Sequence, residues 1–302
     1  IAGICWDCKI MPLKGLDAEG SGYDDDLAEA VRWAADHGAK VTSNSWGGTS
    51  VSQTLEDAFA YALGRGVINL AAAGNSGSSS PHYPAALDSV IAVAATDHQD
   101  QLASFSNFGP WIHVTAPGVG ILSLRAAGTD MYGDGRHIVG GQYYWASGTS
   151  MACPHAAGVV ALVASAHPTW TPANLYATLI YSADDLGTPG RDDRFGFGRI
   201  NAYRALQFTT PPNTPTPTPT PVCIAQSPHP YPNNYDNTWT LTNPDTSASA
   251  THVHFFRIDI EQGWDFIYIM DGSGTVYERL SGSYSNYWSA AVPGRTVRSR
   301  AS

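Results

Sequence analysis

The chain has 302 residues, a formal net charge of −10 and only 14% charged residues, with no cluster of Lys or Arg. Nothing in it could neutralise a phosphate backbone or an anionic membrane surface, and no apolar run approaches the ~20 residues that a membrane-spanning helix needs. A hydrophobic share of 43% with 30 Gly, 9 Trp and 15 Tyr fits a globular protein of tight loops and polar-aromatic surfaces, in the manner of extracellular proteins, with room for one large domain and a smaller one.

Ile1-Ala2-Gly3-Ile4 lack the charged start and long apolar stretch of a signal peptide, and no initiator Met precedes them. Residues 296–300 stop in a strand-like pattern without a turn signal. Both ends read as cut, so the chain is expected to be a piece of a longer protein. Of the four cysteines, Cys5 and Cys8 form a C-x-x-C. A local disulfide and two small apolar residues leading into a strand at Lys9-Ile10-Met11 are both open readings; no second C-x-x-C or H-x-x-x-H completes a zinc site.

Strand-like and helix-like patterns then alternate up to about residue 208. Asp24-Asp25-Asp26 precede a helical pattern with Leu27, Val31 and Ala34 on one face, suit its positive end, and Gly38 closes it. Val41 to Ser45 reads as a strand. Ser52 opens a second helix with Leu55, Phe59 and Leu63 inward, closed by Gly64 and Gly66. Val67 to Ala73 and Val90 to Ala95 are nearly all apolar, as parallel strands buried on both faces are. Tyr143 to Ser147 gives one more strand before a helix from about Ser150 to Ala166. Such alternation predicts an α/β sandwich with a mostly parallel sheet, in which active groups sit at the carboxyl ends of strands. Three glycine-rich corners lie there: Ser45-Trp46-Gly47-Gly48, Ala72-Ala73-Gly74-Asn75 and Ser147-Gly148-Thr149-Ser150.

Residues 209–222, a Thr-Pro repeat, read as an extended spacer, because Pro fixes φ and removes donors. Residues 223–302 carry short alternating runs rich in aromatics, Ser, Thr and Asn, and read as β-structure.

The chemistry concentrates in Gly148-Thr149-Ser150-Met151-Ala152-Cys153-Pro154-His155-Ala156-Ala157-Gly158. A serine in the first turn of a helix has its Oγ near unpaired N–H groups, whose partial positive charge suits a developing oxyanion. Gly148 permits a sharp turn and close substrate approach, Pro154 falls early in the helix, and Gly158 permits close helix packing. A serine that only caps a helix would show the first of these features alone.

This stretch resembles the nucleophile motif of subtilisin-like serine peptidases, the subtilases. So do, in order, Asn44-Ser45-Trp46-Gly47-Gly48, Ala71-Ala72-Ala73-Gly74-Asn75, Ala103 to Pro110, Thr115-Ala116-Pro117-Gly118 and Gly196 to Ala202. The resemblance spans 1–208 and implies a three-layer subtilisin-like domain. It implies Ser150 as nucleophile, Asn75 as oxyanion donor, Ser45, Trp46 and Gly47 as the strand that pairs with substrate, and Ala72, Ala73 and Gly74 as a pocket wall. His82 could stand near that pocket's floor, although an exposed loop histidine is the simpler reading; for Asn75 a left-handed turn beside Gly74 is the plain alternative. With no acidic residue lining the pocket, tolerance for apolar and aromatic side chains is expected.

The family's catalytic Asp and His segments do not occur in the sequence; by the resemblance they lie upstream of it. His37 ends a helix and His155 matches a packing position. The chain by itself is therefore expected to show an open sheet edge and little activity. No cofactor is needed for the chemistry. Structural calcium is common in subtilases, but Trp111 and His113 stand where a weaker cation site would have acidic groups, and Asp97 and Asp100 read as solvated. No metal-binding residue is assigned.

Trp239-Thr240-Leu241, Pro230 to Tyr235 and Trp264 to Gly272 resemble a CUB domain, a β-sandwich binding module, here lacking paired cysteines and its last strands. Asp265 and Asp271 fall near a calcium position of some CUB domains, with hairpin-turn residues the simpler reading. The whole reads as a monomeric, secreted serine endopeptidase acting on protein or peptide substrate, with the β-module binding a surface or protein ligand. The alternative is a catalytically dead subtilase fold that binds. An unrelated esterase is excluded by the lack of a Gly-x-Ser-x-Gly elbow at Ser150.

Overall fold

A computed structural model describes residues 3–212 and, farther along, 237–242, 250–251, 253–259, 266–294 and 296–301. The chain divides into two units between Pro212 and Asn213. Residues 213–222 of the spacer, Cys223, Pro230 to Tyr235, Trp264 and Asp265 lie outside the described residues.

In the first unit, helix α1 (Asp24–Asp36) buries Leu27, Val31 and Ala34. Asp24-Asp25-Asp26 form its first turn instead of preceding it, and Tyr23 is the N-cap without a side-chain bond; their charge still favours that end. Gly38 follows at φ +83°, the left-handed exit that lets the chain leave the helix. Strand β1 (Val41–Asn44) leads to α2 (Gln53–Gly64), which buries Leu55, Ala58, Phe59 and Ala62. Leu63, expected inward, is 38% exposed. At ~100° per residue, Ala62 points within ~20° of Leu55 and Leu63 about 80° away.

Strands β2 (Ile68–Ala72), β3 (Val90–Thr96) and β4 (Val114–Pro117) join β1 in a parallel sheet ordered β1-β2-β3-β4. Their side chains alternate between two apolar layers. Leu70, Ala72, Val93, Ala95 and Val114 face the helix side of Ala152, Ala156 and Val160, while Ala71, Ala73, Ala92 and Ala94 face Leu27, Val31, Leu55 and Phe59. The product is a three-layer α/β/α unit. Among the described residues β1 pairs with β2 alone, so its other edge is open. Lys9-Ile10-Met11 is no strand, and Ile10 is 90% exposed; an extended segment without a ladder partner does not hold.

Strands β5 (Ile121–Leu124), β6 (Ile138–Val139) and β7 (Tyr143–Ala146) form a separate antiparallel sheet, β5-β7-β6. Tyr143–Ala146 is thus not a further strand of the parallel sheet. No helix lies between β4 and β7 to carry a parallel crossover. Helix α3 (Thr149–Ala166) follows, then α4 (Pro172–Ser182) and α5 (Ala202–Leu206). By length and composition α3 could cross a membrane, but its apolar residues are spent on the sheet. Gly158 lets it approach Ile4, whose Cβ would stand 3.0 Å from an added Cβ.

Cys5 and Cys8 are joined in a disulfide. Asp100 is not simply solvated: it takes Arg199 Nη1 at 2.5 Å, while Arg199 Nη2 reaches Asp184 at 2.7 Å. That pairing ties the segment before α5 to the β3 exit. Asp97 accepts the N–H groups of Gln99 and Gln101.

In the second unit, β8 (Asn237–Thr242), β11 (Ile267–Asp271), β12 (Val276–Leu280) and β15 (Thr296–Ala301) form an antiparallel sheet ordered β12-β11-β15-β8. Two further pairs are β9 (Ala250–Thr251) with β14 (Val292–Pro293) and β10 (His254–Asp259) with β13 (Ser283–Trp288). Val253, Ile269, Val292 and Val297 form its core. Asp271 serves the β11–β12 turn: its Oδ1 accepts Ser273 N–H, Ser273 Oγ–H and Thr275 N–H.

Candidate active site

The parallel strands deliver Ser45 and Gly74-Asn75 to one end of the sheet, beside the start of α3. Gly148 is the N-cap of that helix, so Ser150 is its second residue and its backbone N–H has no helical acceptor. The side chain is half-buried. Among the described residues, Ser150 Oγ has one hydrogen-bond partner, the carbonyl of Ser45 at 3.4 Å. In return Ser45 Oγ donates to the Ser150 carbonyl at 2.9 Å. Pro154 explains that second bond. It is the sixth helical residue, not a first-turn residue, and its missing N–H is the one that would have bonded Ser150 O.

Asn75 is fixed at its oxygen. Thr149 donates to Oδ1 twice, from its backbone N–H at 2.8 Å and from its hydroxyl at 2.9 Å. The Thr149 hydroxyl in turn accepts the Gly74 N–H at 3.0 Å. With two donors on Oδ1, the amide orientation is determined and Nδ2 faces outward. A Cβ placed on Gly148 would stand 3.5 Å from Asn75 Nδ2 and 3.6 Å from Ser150 N. Two nitrogen donors thus stand close to one point on the open face of Gly148, with the Met151 sulfur 3.6 Å from the same point. Asn75 is not in the left-handed region: the positive φ at this corner, +96°, belongs to Gly74, and among the described residues Asp100 is the one non-glycine with φ above zero.

Asn107 holds the corner from below, accepting Ser76 N–H and Ser78 N–H on Oδ1 and donating Nδ2 to Ala73 O at 2.9 Å. Neither Thr149 nor Asn107 stands out as a site residue in the sequence, although both lie within segments that resemble the family. Their burial is the signal, and burial is not legible in one sequence.

Ala72 and Ala73 are buried, with their methyls in opposite apolar layers. What this strand end presents outward is backbone. His82 is not an exposed loop residue. It is half-buried and wedged against two glycines: an added Cβ would stand 2.7 Å from its Nε2 at Gly47 and 3.0 Å from its ring at Gly74. Burial lowers its pKa below the ordinary histidine value. Gly48 and Tyr83 exchange two backbone hydrogen bonds at 2.8 Å, which brings the His82 loop alongside Trp46-Gly47. Ser45, Gly47 and Gly48 are exposed and Trp46 is half-buried against Phe59.

No histidine contacts Ser150 among the described residues. His155 binds Met151 O at 2.8 Å, and His37 stacks on Trp33 with ring centres 3.7 Å apart. His113 Nδ1 accepts Ala92 N–H at 3.1 Å, and burial, with Arg191 nearby, lowers its pKa to about 4.

Residues 1–198 match the Subtilase family. The chain belongs to the subtilases. Among its relatives, the thermophilic serine proteinase of Bacillus sp. (strain AK1) is 41% identical over 208 residues, 69% of this chain and 48% of that protein. Thermitase of Thermoactinomyces vulgaris is 39% identical over 208 residues, 69% of this chain and 68% of thermitase. A solved protease structure from Pseudoalteromonas arctica PAMC 21717 is similar with a TM-score of 0.60 and 29% identity, covering 68% of this chain and 64% of that one. This subtilase chain therefore spans about half the length of the Bacillus relative, and its fold in 1–208 is the subtilisin-like α/β fold expected from sequence.

Proposed function

We propose that this subtilase chain carries the nucleophile and oxyanion cradle of a secreted serine endopeptidase. Ser150 Oγ attacks the scissile carbonyl, forming an acyl-enzyme that water then hydrolyses. The negative oxygen of the tetrahedral intermediate sits between Asn75 Nδ2 and the Ser150 N–H. Substrate pairs as an added strand on the backbone of Ser45, Trp46 and Gly47, with Ala72, Ala73, Gly74 and His82 bordering the side chain before the cut. The observation that carries this reading is the convergence of Asn75 Nδ2 and Ser150 N on the open face of Gly148.

Ser150 also needs a base and the base an orienting carboxylate. No described residue fills either role, and the family resemblance assigns both to protein outside the described residues. The chemistry uses no cofactor. The Cys5–Cys8 disulfide supports an oxidising, extracellular setting. We read residues 223–302 as a CUB-like β-sandwich that binds a surface or protein ligand. Fluorophosphonate labelling of the protein carrying its upstream residues, set against its Ser150→Ala variant, tests the peptidase. Labelling that depends on Ser150, with casein cleavage, is expected. A folded protein that does not label is instead a binding protein on a dead subtilase fold.

A further inference from the structure

We propose that the cavity beside Ser147 is a subsite for a basic side chain on the leaving-group side of the scissile bond, with Asp134 as its specificity-determining residue. The proposal rests on the peptidase reading of Ser150. The cavity measures about 460 Å³ and is walled by Tyr132, Asp134, His137, Trp145 and Ser147, with Gly120 and Ala146 behind. None of the residues assigned to the acyl half of the substrate, Ser45 to Gly47 and Ala72 to Gly74, lines it. Its wall instead runs through Ala146-Ser147 into Gly148, on whose open face the oxyanion donors converge. A chain bound at Ser45 to Gly47 and cut at Ser150 must leave through a region other than its own acyl half, and two of this cavity's lining residues, Ala146 and Ser147, lead directly into the Gly148-Thr149-Ser150 corner.

The site is built, not improvised by a loose loop. Asp130 accepts Tyr144 Oη–H at 2.7 Å and Gly135 N–H at 2.8 Å. Tyr132 N–H donates to Tyr144 Oη at 3.0 Å, and Tyr132 Oη accepts Ser147 N–H at 3.2 Å. Those bonds tie the 130–137 loop to β7 and to the strand leading into the nucleophile. Ser147 Oγ accepts Gly120 N–H at 2.9 Å, fixing the opposite wall.

Its chemistry selects a cation. Asp134 accepts Arg136 N–H at 2.9 Å and lies 3.1 Å from His137 Nδ1, and these bonds hold its carboxyl below the usual aspartate range. Asp130 does not line the cavity and serves the loop, its oxygens taken by Tyr144 Oη–H, Tyr132 N–H and Gly135 N–H, so Asp134 is the carboxylate of the site. The nearby Arg125 is already committed to the carbonyls of Thr129 and Gly141. Trp145 and Tyr132 stay 42% and 45% exposed. A carboxylate beside the partly exposed Trp145 and Tyr132, the latter with His137 against its ring at 4.5 Å, matches the planar cation and long stem of arginine, and less well the compact charge of lysine.

The test uses the full protein, as parent and Asp134→Asn, on fluorogenic peptides that are identical up to the cut. Each carries Arg, Leu or Glu at one of the first three positions after it. One position is expected to favour Arg over Leu, with Glu poorest, and the Arg-to-Leu ratio of kcat/KM to fall roughly three- to fivefold in Asp134→Asn. No Arg preference, or a ratio that Asp134→Asn leaves unchanged, overturns the proposal. Fluorophosphonate labelling of the parent reports separately on the nucleophile. Should the parent not label, the peptidase reading fails and with it the leaving-group assignment, and the cavity's preference for a basic side chain is then read directly. Trp145 fluorescence, taken as the difference from Trp145→Phe, is titrated with argininamide and leucinamide. Saturable quenching by argininamide that weakens in Asp134→Asn supports a basic subsite, and equal responses to the two amides overturn it.

Discussion

The hydroxyl of Ser45 donates to the carbonyl of Ser150 at 2.9 Å, the acceptor that Pro154 leaves without a helical donor. The same serine's carbonyl is the partner of Ser150 Oγ at 3.4 Å. A residue on the strand side and one on the helix side thus hold each other across 105 positions of sequence.

Ser45→Ala removes one of these bonds and leaves the Ser150 carbonyl to water. Because the site is exposed, the expected loss in unfolding free energy is about 0.5–1.5 kcal/mol by urea denaturation. Fluorophosphonate labelling should slow as well, since the first turn of α3 loses its brace. Unchanged stability together with unchanged labelling would show that the bond does not position Ser150.

Asn75→Asp keeps the oxygen that Thr149 holds and exchanges the outward amide for an anionic oxygen. The fold should persist. Acylation should fall by about 10²- to 10³-fold, the loss that removal of one such donor causes in subtilisin, a member of the same family. Burst kinetics on an ester substrate measure it, and a loss under fivefold would remove Asn75 from the oxyanion role.

At Gly47 an added Cβ would collide with the Tyr83 carbonyl oxygen as well as meeting His82 Nε2 at 2.7 Å. Gly47→Ala should therefore cost roughly 1–3 kcal/mol of stability. Adding His82→Ala should not restore it, because the backbone contact remains. Recovery in the double variant would assign the whole clash to the imidazole ring.

The pKa of His113 falls to about 4 in the folded protein from an ordinary value of 6.5. Between those two pH values the unfolded chain binds the extra proton, so stability rises with pH. The contribution is complete above about pH 6.5 and is lost as pH falls toward 4. The ring keeps some solvent contact, so the loss is expected at about 1–2 kcal/mol, below the full value of the shift. Urea titrations at pH 7.5 and 4.5 should show a smaller pH difference in His113→Gln than in the parent; an equal difference would place the titration elsewhere.

The sequence by itself determined the parallel α/β core, because the nearly all-apolar runs Val67 to Ala73 and Val90 to Ala95 fit strands buried between two layers of helices. It also marked Ser150, Asn75 and the Ser45-Trp46-Gly47 strand end, since those residue types stand in ordered, recognisable segments. It left other matters open because they depend on partners distant in the chain. Periodicity does not say which sheet a short strand joins, so Tyr143–Ala146 became antiparallel only where no crossover helix was available. Nor does it say that His82 wedges between Gly47 and Gly74, that Asp100 meets Arg199, or that Thr149 and Asn107 orient the Asn75 corner. The Asn107–Ala73, Asn75–Thr149 and Asp100–Arg199 bonds join positions 34, 74 and 99 residues apart, which only the tertiary fold brings to hydrogen-bond distance.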